Sequence, residues 1–259
     1  MAPHQLSSAA PAPAAAPLGC LASTDRYYLR VVRPEDTEEV FQFLRRFYYP
    51  FEPVNQSVNR IPVNIYQCSH GETIKEGLSL AAIERDTGKL IGVSIQGVAT
   101  PEDDAEVMKK VEAVANYGAV KIAKSFEIVA VLEREADIWS KLNVTESLRV
   151  LATAVDSDYR GLGVGAAFVV ASARLAADRS IRWLSVAATS HYFANACKRL
   201  GGELVHSVRY DRFVDEHGRP HLPVKAPHQA MTMWVFDTDD LLSTSPVNNR
   251  PRRQSATGA

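Results

Sequence analysis

The run Arg160-Gly161-Leu162-Gly163-Val164-Gly165 sets three glycines and a cation between two apolar stretches. Glycines let a ligand reach backbone N–H groups with no Cβ in the way. A helix starting at this point adds unpaired N–H donors and the positive end of its dipole. Together these suit a pyrophosphate, and Arg160 can add charge-assisted bonds to phosphate oxygens. A second chemical candidate is Glu52, which lies between Phe51 and Pro53 after the aromatics Phe47, Tyr48 and Tyr49. A carboxylate in an apolar surround has a raised pKa, which suits a general base near neutrality. A surface or helix-capping carboxylate is the other reading of the same residue.

Three phosphate-binding patterns compete for the glycine run. Gly161-x-Gly163-x-x-Ala166 also satisfies the dinucleotide pattern, which wants an acidic residue about 20 positions on, at the end of the next strand. That strand ends Val186-Ala187-Ala188, with no Asp or Glu. An ATPase-type loop fails because no Gly-Lys-Ser/Thr follows. A cradle opened by Arg160 remains, beside the plain alternative of a strand-to-helix turn with no ligand.

The elements that must position these residues alternate along the chain. Residues 28–32 read as a short strand, and Pro34 opens a helix to Phe47 with Val40, Phe43, Leu44 and Phe47 on one face. Residues 51–65 read as irregular, with Pro53 and Pro62 as breakers. Residues 78–84 and 89–98 form a hairpin pattern around Asp86-Thr87-Gly88. Residues 101–142 are helical, broken near Tyr117. Residues 148–155 read as a buried strand leading to the glycines, and 164–178 as the helix after them. A strand at 181–187, a helix at 190–200 capped by Ser190, and strands at 203–209 and 231–236 complete the pattern. This order predicts an α/β (α+β mixed) fold, a mixed sheet with helices on both faces.

The folded part spans 25–240, between an Ala/Pro-rich segment at 1–24 and a Ser/Asn/Arg/Pro-rich tail at 241–259. Both ends read as disordered, since neither can bury enough apolar surface to offset its ordering entropy. The 259 residues carry a net charge of −1 and 46% apolar residues, which calls for neither nucleic acid nor an anionic membrane. No apolar run approaches the roughly 18 residues that span a bilayer. Cys20, Cys68 and Cys197 are odd in number and widely spaced, against a disulfide framework or a zinc site, and no metal is expected. A cytoplasmic monomer is the expectation.

The block from Val155 to Gly165 resembles the acetyl-CoA motif (R/Q-x-x-G-x-G/A) of the GNAT superfamily of N-acetyltransferases. Ala188-Thr189-Ser190-His191-Tyr192 and Lys198-Arg199-Leu200-Gly201 resemble its second motif. Tyr210-Asp211 and Ala226-Pro227-His228 resemble the C-terminal pattern of the insect-type arylalkylamine branch, and Phe51-Glu52-Pro53-Val54-Asn55 its "DEPLN" stretch. The resemblance implies an acetyltransferase fold, with a splayed, mostly antiparallel mixed sheet flanked by helices on both faces. It implies acetyl-CoA as cosubstrate. The strand ending at Ala154 and Val155 would pair with the pantetheine arm, and the amides of Leu162, Gly163, Val164 and Gly165 would hold the pyrophosphate beside Arg160 and Gly161.

The implied reaction is acetyl transfer to a small primary arylalkylamine. Such an amine has a pKa near 10 and is protonated at neutral pH, so a base must take a proton directly or through water. The resemblance gives that role to Glu52. The branch carries two serines in its second motif; here those positions are Thr189 and Phe193, and Phe193 cannot relay a proton. Cys197 stands where many members of the superfamily place an acidic Tyr. Thr189 ranks first and Tyr192 second as the proton-relay group. Tyr48, Tyr49, Phe51, Phe193 and Tyr117 could wall an aromatic amine pocket, with His228 at its border. An acyl-CoA-binding protein with weak catalysis, or transfer to a polyamine, an amino acid or a protein amine, are the alternatives.

Overall fold

In a computed structural model of the chain, residues 20–64, 70–116 and 118–244 are described. Cys68, Tyr117 and the terminal segments 1–19 and 245–259 lie outside the described residues. Among the described residues no helix is long and apolar enough to cross a membrane.

Eight strands form one sheet in the order β1-β2-β3-β4-β5-β6-β8-β7. They are β1 (Ala22–Ser23), β2 (Tyr27–Val31), β3 (Leu80–Glu84), β4 (Leu90–Ala99), β5 (Ser147–Val155), β6 (Trp183–Ala188), β7 (Glu203–Arg209) and β8 (Ala230–Asp237). Every neighbouring pair is antiparallel except β5 with β6. Helix α1 (Thr37–Phe47) packs Val40, Phe43 and Leu44 on one face of the sheet, as its 3.6-residue spacing predicts. Helix α7 (Val164–Asp178) packs Val164, Phe168 and Ala171 on the other. Helices α4 (Pro101–Asn116), α5 (Val120–Ala136) and α6 (Ile138–Leu142) fill the predicted helical stretch, and α8 (His191–Arg199) follows β6.

Three expectations need correction. Residues 51–65 are not all irregular: Pro53–Val58 is helix α2, and α3 (His70–Lys75) follows later. Pro53 is no breaker but sits at the first helical position, where its missing N–H costs nothing. The ordered chain also exceeds 25–240 at both ends. Ala22–Ser23 adds an edge strand to β2, and Thr238–Thr244 forms α9, whose Leu241 is buried against the α7 core.

The central strands part company early. β5 pairs with β4 from Ser147 to Val155, but with β6 only at Leu148, Arg149 and Val150. Opposite Ile95 and Gln96 the register skips Leu151, a β-bulge that leaves this residue 42% exposed in mid-sheet. The bulge also switches faces: Leu148 and Val150 join the core under α7, whereas Ala152 and Ala154 join the core under α1. From residue 151 to 155 the β6-facing edge of β5 has no strand partner among the described residues.

Beneath the paired start of β5, Arg149 is buried and donates through one nitrogen to Asp104 at 2.6 Å and Glu133 at 2.9 Å. Trp139 donates to the other Asp104 oxygen and lies under the guanidinium. Glu133 Oε2 has no partner among the described residues. Burial pushes the Glu133 carboxyl up to about 7, against the pull of Arg149. The folded state therefore holds a proton that the unfolded chain releases, and stability falls as pH rises from the ordinary Glu range to about 7. Glu133→Gln removes that loss. Its melting temperature is expected to exceed the parent's by several degrees at pH 8 (about 2–4 °C per kcal/mol at this size) and to match it near pH 4.5. Thermal melts at the two pH values check this.

Candidate active site

The parting of β5 from β6 leaves a wedge whose walls end in the glycine turn on one side and Thr189 on the other. The turn is built before the glycines are reached. Asp156, buried at the end of β5, accepts from Lys89 Nζ at 2.7 Å and from the Asp158 amide at 3.1 Å. Burial works to raise its pKa, but Lys89 and the amide outweigh that and keep it below the usual carboxylate range. Tyr159 then donates to Glu84 at 2.7 Å. These bonds tie the 3-10 turn Ser157–Tyr159 to the β3–β4 hairpin.

Gly161 and Gly163 come next, with φ of 81° and 77°, the left-handed region where a Cβ is strained. A Cβ built on either would meet open space, so none of the described residues covers the turn there. Gly163 is the N-cap of α7, and the first amides of the helix run through Val164 and Gly165. Leu162 and Gly165 are half-buried, and Arg160 and Gly163 are exposed. The Arg160 guanidinium lies 5.2 Å over the Phe51 ring. Ala154 is buried and Val155 half-buried on the strand that bounds the wedge. The residues of the expected cradle are therefore contiguous in space, with free helix amides and an open approach, and they fit a pyrophosphate.

Glu52 forms the other half of the site. It is the N-cap of α2 and only 7% exposed. One carboxylate oxygen accepts the Val54 amide at 3.0 Å, and the other accepts the Asn55 amide at 2.7 Å and the Asn55 side chain. The capping reading of the residue is thus correct, but the cap is buried rather than on the surface. Burial raises its pKa, and the bonds from Asn55, the Thr189 hydroxyl and Val54 only partly offset this. The two phenols that face it, Tyr48 and Tyr210, are themselves held above their ordinary range by burial and by its charge.

The structure thus brings Glu52 and Thr189 together, while adjacent Phe51 touches Arg160. Two successive residues reach both sides of the wedge. The remaining candidates scatter. Tyr49 is 1% exposed and belongs to the α1 core, its hydroxyl bonded to His70 Nδ1 at 3.0 Å, so it walls no amine pocket. Phe51 is 52% exposed and serves the glycine turn. Phe193 lies beside the cradle, since a Cβ on Gly165 would sit 3.9 Å from its ring. Tyr192 is 66% exposed and packs edge-on against His228, outside the Glu52 cluster. His228 accepts the His191 amide at 3.1 Å and so caps α8 together with Ser190, which accepts Phe193 N–H as predicted. Burial pushes the Cys197 thiol up to about 12, a poor proton donor. Of the predicted aromatic wall, Tyr48 alone among the described residues feels the Glu52 charge.

Sequence reasoning assigned no role to Asn55 or Tyr210. Asn three residues after a Glu-Pro cap is a readable signal, because i and i+3 share a helix face. Tyr210 carries no local signal, since its contacts lie across the sheet.

No family model matches the chain. Arylalkylamine N-acetyltransferase 2 from Aedes aegypti superposes with a TM-score of 0.74 at 21% identity, over 82% of this chain and 99% of that one. A mosquito arylalkylamine N-acetyltransferase-like protein, 5b, gives 0.72 at 24% identity over the same shares. A Drosophila melanogaster polyamine N-acetyltransferase that forms N-acetylagmatine gives 0.71 at 22% identity, again over 82% and 99%. The chain has the GNAT acetyltransferase fold, in the form that these insect arylalkylamine and polyamine N-acetyltransferases share.

Proposed function

We propose that this protein transfers the acetyl group of acetyl-CoA to a small primary amine, with Glu52 as the general base. The observation that carries the reading is a buried N-cap carboxylate, Glu52, directly after Phe51, whose ring lies under the Arg160 guanidinium of the glycine turn. A pyrophosphate on the α7 amides would lay the pantetheine arm along the free edge of β5, toward the buried carboxylate. The amine nitrogen attacks the thioester carbonyl carbon, the C–S bond breaks, and the departing thiolate of coenzyme A takes up the second proton that the nitrogen sheds on becoming an amide. Glu52 takes the proton that the ammonium must lose, directly or through water. Backbone N–H groups on the unpaired edge of β5 are the donors for the developing oxyanion. Thiolate leaves readily, so the poor acidity of Cys197 is no obstacle.

An arylalkylamine is the acceptor class this site favours. Two neutral phenols, Tyr48 and Tyr210, face the base, and the Arg60 charge reaches Tyr48, which disfavours a second cation on the substrate. An acetyl-CoA-dependent screen of tyramine, dopamine and serotonin against agmatine, spermidine and amino acids tests this. Faster turnover of agmatine or spermidine would overturn it. The rival reading is a coenzyme A binder in which Glu52 only caps α2.

Gly163→Val is expected to abolish coenzyme A binding in calorimetry, because a β-branched side chain is strained at this φ and enters the open approach. Unaltered binding would remove the cradle assignment. Glu52→Ala is expected to lower kcat about 10²-fold or more with coenzyme A affinity kept, beside a cap loss of about 1 kcal/mol in thermal melts. Full turnover with the lowered melting temperature would leave Glu52 a cap only.

A further inference from the structure

The pairing of β5 with β4 reaches Val155 opposite Gly92, and the Asp156 amide adds one bond to Ile91 O at 2.9 Å. Beyond it the backbone bonds of the turn are local, from Tyr159 N to Asp156 O at 2.9 Å and from Arg160 N to Ser157 O at 3.4 Å. Side chains take over where the ladder stops. Asp156 caps the 3-10 turn and accepts from Lys89 Nζ at 2.7 Å. Tyr159 ends that turn and donates to Glu84 at 2.7 Å. The Lys89 ammonium also lies 5.2 Å over the Tyr159 ring. Glu84 and Lys89 face each other at the base of the β3–β4 hairpin, where the Glu84 amide donates to Lys89 O at 2.9 Å. One facing pair of the hairpin therefore grips both ends of the turn that leads into Arg160 and Gly161.

The glycine turn needs such a grip. Gly161 and Gly163 add conformational freedom, and a Cβ on either would meet open space. The far side of the turn is anchored by buried Val164 and helix α7. The near side rests on the half-buried Tyr159 ring and on the two side-chain bonds. A ligand that meets an ordered loop is spared the entropy of ordering it. We propose that Lys89 and Glu84 are positioning residues for coenzyme A: from the β3–β4 hairpin they fix residues 156–159 and so preset the glycine turn for the pyrophosphate. The binding part rests on the pyrophosphate occupying that turn, and the ordering part does not.

The ion pair is lopsided. The Asp156 side chain is 3% exposed and the Lys89 side chain 48%. Removing the lysine leaves a buried carboxylate whose remaining bond is the Asp158 amide at 3.1 Å. An uncompensated buried charge is costly, so the turn must shift to admit water. Asparagine at 156 would keep an oxygen for the Asp158 amide and carry no charge. Asp156→Asn should therefore undo the damage of losing Lys89. Were Lys89 instead a direct phosphate contact, the asparagine would restore nothing.

The test reads the full chain twice, by 15N relaxation without ligand and by calorimetric titration with coenzyme A. Lys89→Met is expected to lower the order parameters from Ser157 to Gly163. It should also weaken coenzyme A binding about fivefold or more, since the ligand must then order the turn. Adding Asp156→Asn to Lys89→Met should recover about half of that loss or more. Tyr159→Phe removes only the hydroxyl bonded to Glu84 and should move both readouts the same way by a smaller amount. Order parameters unchanged in Lys89→Met overturn the proposal. Weakened binding that Asp156→Asn does not recover makes Lys89 a direct contact and overturns it as well. Lowered order parameters with coenzyme A affinity kept overturn the binding part. Gly163→Val, titrated alongside, then separates the two readings: lost binding there leaves the cradle standing, and kept binding sinks the cradle too. If Lys89→Met does not fold, Tyr159→Phe carries the test, and no change in either readout overturns the proposal.

Discussion

The structure turns on the parting of β5 from β6 after three paired residues. A parallel pair in mid-sheet is normally paired along its length, because each unpaired backbone group away from water costs free energy. Here the Leu151 bulge ends the pairing and rotates the strand, so that its far half belongs to the α1 core and not the α7 core. Beyond Val150, strand β5 is left with one satisfied edge and, among the described residues, one unpaired edge in the interior of the sheet. Such an edge is suited to an extended ligand with amide groups, which can add itself as a missing strand. The glycine turn stands at the top of that edge and faces it with helix amides. The glycine turn and the strand edge are thus two ends of one opening.

Glu52 shows how one residue meets two demands. As an N-cap it satisfies the first amides of a six-residue helix that would be marginal alone. Those same bonds favour its ionised form, while burial disfavours it, and burial wins. A carboxylate held by fixed donors and ionised with reluctance suits a base: its geometry is set, and its affinity for a proton is above that of a solvated glutamate. Capping does not compete with the proposed base role, because the cap supplies the orientation.

The long elements were legible because their signals are local. The helix after the glycines begins and ends where its apolar spacing places it, and Ser190 caps α8 as its position suggests. Helix α2 was not legible, since Pro53 reads equally as a breaker and as a helix start, and only the cap bonds decide. The aromatics failed for another reason. Residue type states that Tyr49, Phe51 and Phe193 will bury surface, not against what. One went to the core, one to Arg160 and one to the cradle. Tyr210 was not legible because its hydrogen-bond partner lies 21 residues back, at Thr189.

The placement of Phe193 changes the meaning of this chain's largest departure from the pattern it resembles. In the sequence the position looks like a broken proton relay, a phenyl ring where a serine hydroxyl is expected. In the fold the ring lies next to Gly165, at the first turn of α7, and the other position of the pattern keeps a hydroxyl in Thr189. The substitution therefore adds an apolar wall beside the glycine turn and leaves the Thr189 hydroxyl in place. On the proposed function it bears on how the pyrophosphate end of the cosubstrate is held, and not on how the amine loses its proton. The departure is compatible with an intact catalytic centre, and that favours an enzyme over a binding protein.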